Sequence, residues 1–437
     1  MKRVLYKELI DWKRNPKRKP LLLQGARQVG KTYLIKEFAK NEYENLVYLN
    51  FEENKGLKSL FVQSLNAKTI IENIELYIGR KISFHNSIIF FDEIQVVPDA
   101  LTSLKYFAEQ LPEYHIISAG SLLGVSVGKQ QSFPVGKVNF LNLYPMSFLE
   151  YLYAFNEDLL IEKLLKMKNV EMLPELIHEK LIKYLMKYLF LGGMPEVLQT
   201  YLDTKDINLA RKIQEEILEA YKRDFSKYTD RNQAIKTSEL WLSIPYQLAK
   251  ENKKFKYKNV RKNARASTFE QTIEWLRQAG LINIVYNLKT SKIPLAGYTD
   301  FSKFKIYLLD HGLLGAMLNL SSDIIIRPND YFKEYNGAFI ENYVASELIT
   351  NGYKDLFYWK SKSDAEVDFI IQHRNSIIPL EVKSGTSRNI KSLRSYEDKY
   401  NPKLIIRISQ RNFIQDKKFI NIPLYSVFAI NNVLNAS

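Results

Sequence analysis

The residues best equipped for chemistry lie near the N-terminus, in LLLQGARQVGKTYLIKEF. Gly25 is followed after four residues by Gly30-Lys31-Thr32, the spacing of a phosphate-binding P-loop. Glycines in such a loop let the backbone amides of Ala26, Arg27, Gln28, Val29 and Gly30 turn inward around phosphate oxygens. A helix N-terminus at Lys31 to Tyr33 adds its favourable dipole. Lys31 would reach the β- and γ-phosphates, and the Thr32 hydroxyl would hold magnesium. A chance match in a glycine-containing loop is the plain alternative. The flanks speak against it: a strand-like apolar run at 21–23 precedes the loop, and a helix-like run at 33–40 follows.

The run NSIIFFDEIQ supplies the second group of reactive side chains. Asp92 and Glu93 follow an unbroken apolar stretch, 88–91, of the kind a buried parallel strand shows. Ligands bind at the carboxyl ends of such strands, where Asp92 would sit as a second-sphere magnesium carboxylate. Glu93 would polarise the attacking water. Two solvated acids after a core strand are the alternative. A third apolar stretch, HIISAGSLLG at 115–124, ends in small polar residues. Ser118 and Ser121 are candidates there for sensing the γ-phosphate or the water, an ordinary strand end being the alternative.

These side chains need a sheet to hold them. With a further strand at 45–50 and helix-like stretches between, the first half reads as a parallel α/β sheet. The whole chain, 437 residues, suggests about three domains. Its 46% hydrophobic and 25% charged residues are those of a globular protein. No apolar run approaches about 18 residues, so no membrane span is expected. The basic, polar start MKRVLYKELIDWKRNPKRKP lacks the apolar core of a secretory signal. Cysteine is absent, which excludes disulfides and thiolate metal sites, and the five histidines are scattered. A cytoplasmic location is the expectation. The net charge of +15 suggests a polyanionic partner, nucleic acid first. A lysine-rich composition with a merely solvated basic surface is the other reading.

From about 147 to 236 apolar residues recur at threes and fours, predicting helices with a turn at Gly192-Gly193-Met194-Pro195. Arg223 beside Asp224 reads as an ion pair or as an arginine serving a neighbour's nucleotide. Between Lys250 and Arg265 stand eight basic residues and one acid, with Phe255 and Tyr257 interleaved. Ser267 and Glu270 have capping-box spacing for a helix that Gly280 ends. The strand-like runs LINIVYNL and FKIYLLD follow. Helices followed by a β-hairpin resemble a winged helix, a unit that can place a helix in the major groove of DNA.

The last third carries a second set of acids. Glu341 lies in the helix-like run NGAFIENYVASELI. Asp368 lies in EVDFIIQ, and Glu381 and Lys383 in SIIPLEVKSG. Glu381 and Lys383, two apart, share one strand face. Asp368 and Glu381 could share one or two magnesium ions, with Glu341 completing the site and Glu366 as an alternate. Lys383 could orient or deprotonate a water for attack on a phosphodiester. An exposed strand of alternating charges, or a nuclease-like fold without catalysis, fits the same residues.

The stretches GARQVGKT, FFDEIQ, SAGSLLG, FPVGKVNFLNLYPMSFLEYL, GGMPEV, SIPYQLAKENKKFKY, FKIYLLDHGLLGAML and AEVDFII with PLEVKSG together resemble a prokaryotic family of AAA-type ATPases with a C-terminal domain of unknown function. The resemblance covers roughly residues 15 to 430. It implies an α/β P-loop NTPase core at 1–150, a helical lid or connector at 151–235, a winged-helix module at 236–325 and a PD-(D/E)xK nuclease-like domain at 326–437. It implies ATP, with Mg2+, as the nucleotide. Lys31, Thr32, Asp92 and Glu93 match its ATPase motifs, and Asp368, Glu381 and Lys383 its nuclease-like motif. The chain departs from a full AAA+ pattern. No arginine finger or second sensor arginine can be placed, and Ala119 precedes Gly120-Ser121 where related ATPases often have threonine. Two functions follow as expectations: an ATP-dependent enzyme acting on DNA, or an ATP-gated binding module with a protein partner and a silent nuclease-like domain. Assembly into an oligomer is compatible with both.

Overall fold

The computed structural model describes residues 1–62, 64–121, 136–167, 170–250, 253–323, 333–361 and 365–436. They form two compact units, one of residues 2–144 with 278–280, the other of the remainder.

In the first unit five strands run parallel: β1 (Leu21–Gly25), β2 (Asn45–Asn50), β3 (Ser87–Asp92), β4 (His115–Ser121) and β5 (Asn139–Asn142). Their order is β2-β3-β4-β1-β5. Parallel neighbours cannot be joined by tight turns. Helices Lys31–Glu42, Ala67–Ile78 and Pro98–Gln110 make the crossovers. The chain marks their ends locally. Asn66 accepts the Lys68 and Thr69 amides at one N-terminus, Gly79 at φ 71° closes that helix, and Pro98 opens the next. Every residue of β3 is buried, which is why its sequence is an unbroken apolar run. Leu22, Ile89, Phe91, Ile116 and Leu104 belong to one core with Phe51 and Phe61. The register sets Asn50 beside Asp92, Phe91 beside Ser118 and Gly25 beside Ser121. The carboxyl ends of β1, β3 and β4 therefore lie along one edge. Of the strand expected at 115–124, residues 122–124 lie outside the described residues.

The second unit begins with helices. Ser147 and Glu150 form a reciprocal capping box at the start of Phe148–Ala154. Helices Glu175–Leu191, Pro195–Thr204, Ile207–Tyr228 and Arg231–Leu248 follow. The last runs through the boundary expected at 235. Arg223 is exposed and Asp224 buried, so these neighbours face different sides of their helix. Gly192 turns the chain at φ 71°, and a Cβ there would meet Asp310 Oδ1 at 2.3 Å. The Gly193 amide donates to Asp310 Oδ2 at 2.6 Å, and Asp310 Oδ1 accepts the Leu313 amide at 2.9 Å as the cap of His311–Met317. The GGMP turn and the distant LLDHGLL stretch are thus one packed joint.

Eight strands follow: β6 (Ile282–Leu288), β7 (Thr299–Leu308), β8 (Leu356–Lys360), β9 (Glu366–His373), β10 (Ser376–Val382), β11 (Ile405–Ser409), β12 (Ile414–Asp416) and β13 (Phe419–Pro423). They form one sheet in the order β12-β13-β11-β10-β9-β8-β6-β7. Here the structure differs from the winged-helix expectation. β6 and β7 do form an antiparallel hairpin, but β6 also pairs with β8 in parallel. The hairpin is the border of the C-terminal sheet, and a boundary at 325 would split that sheet. A two-stranded ribbon is marginal by itself. Phe304 to Leu308 are all buried, as a wing's strand facing solvent would not be. Ser267 also lies inside helix Ala266–Gln278 rather than at its cap. The turn between β9 and β10 does fall at the expected HRNS, with Arg374 at φ 52°.

Candidate functional site

The P-loop is shaped by its backbone. Gln28 at φ 67° and Gly30 at φ 92° turn the chain into helix Lys31–Glu42, with Gly30 as its N-cap. Successive amides in such a turn make a concave, anion-binding nest. Gly25 is required by a close approach: a Cβ would meet Leu143 O at 2.3 Å. Ala26 and Val29 are buried, while Tyr33 is 56% exposed. Arg3 steadies the loop from outside it, donating to Val29 O at 2.9 Å and Tyr144 O at 2.6 Å. No motif pointed to Arg3; only the fold brings it here.

Lys31 is 7% exposed, and its ammonium donates to Gly25 O at 3.0 Å and Ala26 O at 2.8 Å. Burial lowers its pKa to about 8, against the pull of Glu93 and Asp92. The Thr32 hydroxyl donates to Asp92 Oδ2 at 2.9 Å. Tyr48 OH donates to the same oxygen at 3.0 Å, and Asp92 Oδ1 accepts the Glu93 amide at 3.1 Å. This hydroxyl and carboxylate are the hard oxygens that magnesium takes from protein beside substrate phosphates, so they fit the ion. Glu93 sits at φ 53°, an uncommon conformation for a side-chain-bearing residue. Burial raises its pKa, and Gln95 Nε2 donates to its Oε2 at 2.5 Å. Tyr48 was missed because it belongs to no spaced motif; Gln95 closes the FFDEIQ stretch but was given no role. Ser121 pairs with Gly25 in the sheet register. Ser118 is fully buried within β4, away from the strand end where a sensor is needed.

The acids of the second unit form a different arrangement. The β9–β10 ladder pairs Phe369 with Leu380, which sets Asp368 next to Glu381 along the hairpin. Asp368 Oδ2 accepts the Val382 amide at 2.8 Å, and Glu381 Oε1 pairs with Lys383 at 2.8 Å. Glu341, from helix Lys333–Thr350, lies near enough to Asp368 to act on its charge. Between them, however, stands Lys305 of β7. Its ammonium lies 2.6 Å from Glu366 Oε1, 3.7 Å from Glu341 Oε2 and 4.0 Å from Asp368 Oδ1. Glu341 Oε1 pairs with Lys253, and Tyr307 OH donates to Glu341 Oε2 at 2.7 Å. Among the described residues no three His, Cys, Asp or Glu side chains converge as a metal site. The metal set expected from Asp368, Glu381 and Glu341 is therefore not assembled around one ion, because an ammonium already holds two of its members. The basic stretch 250–265 is partly absorbed too. Lys253 enters this pocket, and Phe255 is buried, stacked on Phe304 at 5.4 Å.

Three family models match the chain. Residues 17–152 match the AAA domain, residues 182–324 a domain of unknown function (DUF8612), and residues 336–426 another (DUF4143). No curated protein matches. The chain is similar to the Walker-type ATPase of Pyrococcus abyssi at 15% identity, over 72% of this chain and 94% of that one, with a TM-score of 0.44. It is similar to AMPPCP-bound DnaA from Aquifex aeolicus at 14% identity, over 63% and 86%, with a TM-score of 0.26. For CDC6P from Pyrobaculum aerophilum the identity is 13%, the shares 74% and 93%, and the TM-score 0.23. The match over 17–152 takes in the loop and the parallel sheet, so this stretch is similar to the AAA domain in both sequence and arrangement.

Proposed function

We propose that this chain is a magnesium-dependent ATP hydrolase whose nucleotide cycle governs its hold on a nucleic acid. One observation carries the hydrolase reading: Asp92 is bonded to the Thr32 hydroxyl on one side and the Glu93 amide on the other, at the mouth of the loop that holds Lys31. On binding ATP, Lys31 exchanges the carbonyls of Gly25 and Ala26 for the β- and γ-phosphates. The amides of residues 26–30 bind the same oxygens, with Tyr33 and Ser121 bordering the nucleotide. Asp92 orients Thr32. Magnesium, when bound, neutralises phosphate charge. Glu93 takes the proton of the water that attacks the γ-phosphorus as the bond to the ADP oxygen breaks. The raised pKa of Glu93 suits it to that transfer.

The nucleic-acid part rests on charge. Net charge is +15, and a groove of about 390 Å³ in the second unit is lined by Arg374, Lys403, Lys417 and Lys418 with no acidic residue. Such a surface suits a phosphate backbone. The experiment is ATP hydrolysis by the purified chain with and without duplex and single-stranded DNA. Stimulation that fades as salt rises supports this reading. Hydrolysis indifferent to DNA at low salt contradicts it and favours a module gated for a protein partner.

A further inference from the structure

We infer that the acidic pocket of the second unit is built around a resident ammonium, Lys305, in the place a divalent ion would take, and so performs no metal-dependent phosphodiester cleavage. Three features of the pocket support this. First, Lys305 is 1% exposed, and its Nζ lies within 4.0 Å of carboxylate oxygens from Glu341, Glu366 and Asp368. It also lies 5.0 Å from the centre of the Tyr358 ring, so its charge is held on more than one side. Second, most of the acceptor oxygens are already engaged. Glu341 takes Lys253 on one oxygen and Tyr307 on the other, and Asp368 takes the Val382 amide on Oδ2 while its Oδ1 faces the Lys305 ammonium at 4.0 Å. Magnesium demands free oxygens in close octahedral array and gives up its water reluctantly. Third, three carboxylates face three ammoniums, Lys253, Lys305 and, 3.9 Å from Glu366, Lys360, leaving little uncompensated charge to draw a divalent ion.

Two oxygens weigh the other way. Glu381 Oε2 is buried without a hydrogen bond among the described residues, and Asp368 Oδ1, next to it on the hairpin, has only the Lys305 ammonium 4.0 Å away. The other Glu381 oxygen pairs with Lys383, however, and two carboxylate oxygens set between two ammoniums are not the octahedral array magnesium takes. Buried carboxylates need a partner cation, and a lysine on β7 supplies it from within the chain. The pocket then ties β7, β9 and helix Lys333–Thr350 together.

The test is Mn2+ binding to the nucleotide-free full chain, read by electron paramagnetic resonance. The parent protein and Asp368→Asn should bind Mn2+ alike up to about 1 mM, the weak end of protein sites for such ions. Lys305→Met should gain one Mn2+ roughly tenfold tighter than any in the parent, since three carboxylates then face two ammoniums, Lys253 and Lys360. The double variant Lys305→Met/Asp368→Asn should lose it. A Mn2+ in the parent that Asp368→Asn or Glu381→Gln removes overturns the inference. So does a folded Lys305→Met that gains no ion. If Lys305→Met fails to fold, the comparison of the parent with Asp368→Asn decides alone.

Discussion

Lys31 illustrates how a motif residue acquires properties that spacing cannot express. Its ammonium is held on two loop carbonyls and has a pKa of about 8 because burial disfavours its charge. Only the protonated form attracts a triphosphate strongly, and a bound phosphate raises the pKa again. ATP affinity should therefore be flat below about pH 8 and weaken above it, by up to roughly tenfold per pH unit. Equilibrium titration with a fluorescent ATP analogue from pH 6.5 to 9.5 checks this. An affinity that stays level to pH 9.5 would mean that Lys31 keeps its charge in the free protein. Lys31, Thr32, Asp92 and Glu93 were legible because each belongs to a short segment with fixed spacing. Arg3, Tyr48 and Lys305 were not. Their partners lie 26, 44 and 61 residues away, and no local pattern marks such contacts.

Among the elements, four of the five parallel strands of the first unit were read, β3 most plainly because burial on both faces leaves an unbroken apolar run, whereas β5, mostly not buried, carries no such run and was not read. The hairpin of β6 and β7 was read as a hairpin but assigned to the wrong body. Antiparallel pairing is a local matter, whereas the parallel partner of β6 begins 68 residues beyond its end. The GGMP turn was likewise legible as a turn but not as a joint. Gly192 has both a positive φ and an Asp310 oxygen where a side chain would start. Gly192→Ala should destabilise the second unit by about 3 kcal/mol, the strain of a left-handed alanine adding to displacement of the Asp310 cap. Denaturant unfolding followed by circular dichroism measures it. A loss below about 0.5 kcal/mol, typical of an unconstrained surface site, would contradict the packed joint.

For the whole molecule, the two units differ in how far chemistry follows from sequence. In the first, loop, strand order and acids converge on the same edge, and each level supports the next. In the second, the motif residues Asp368, Glu381 and Lys383 do lie on one hairpin, yet Lys305, from a strand that read as part of another module, changes what they can do. Acids and a lysine at motif spacing describe a site only when the remainder of its charge is known. The turnover of Glu93→Gln, set against its ATP binding, tells whether Glu93 is the base of an ATP hydrolase. Glu93→Gln should bind ATP as the parent does but turn it over at least ~100-fold more slowly. Hydrolysis at the parent rate by a Glu93→Gln protein that binds ATP normally would contradict it.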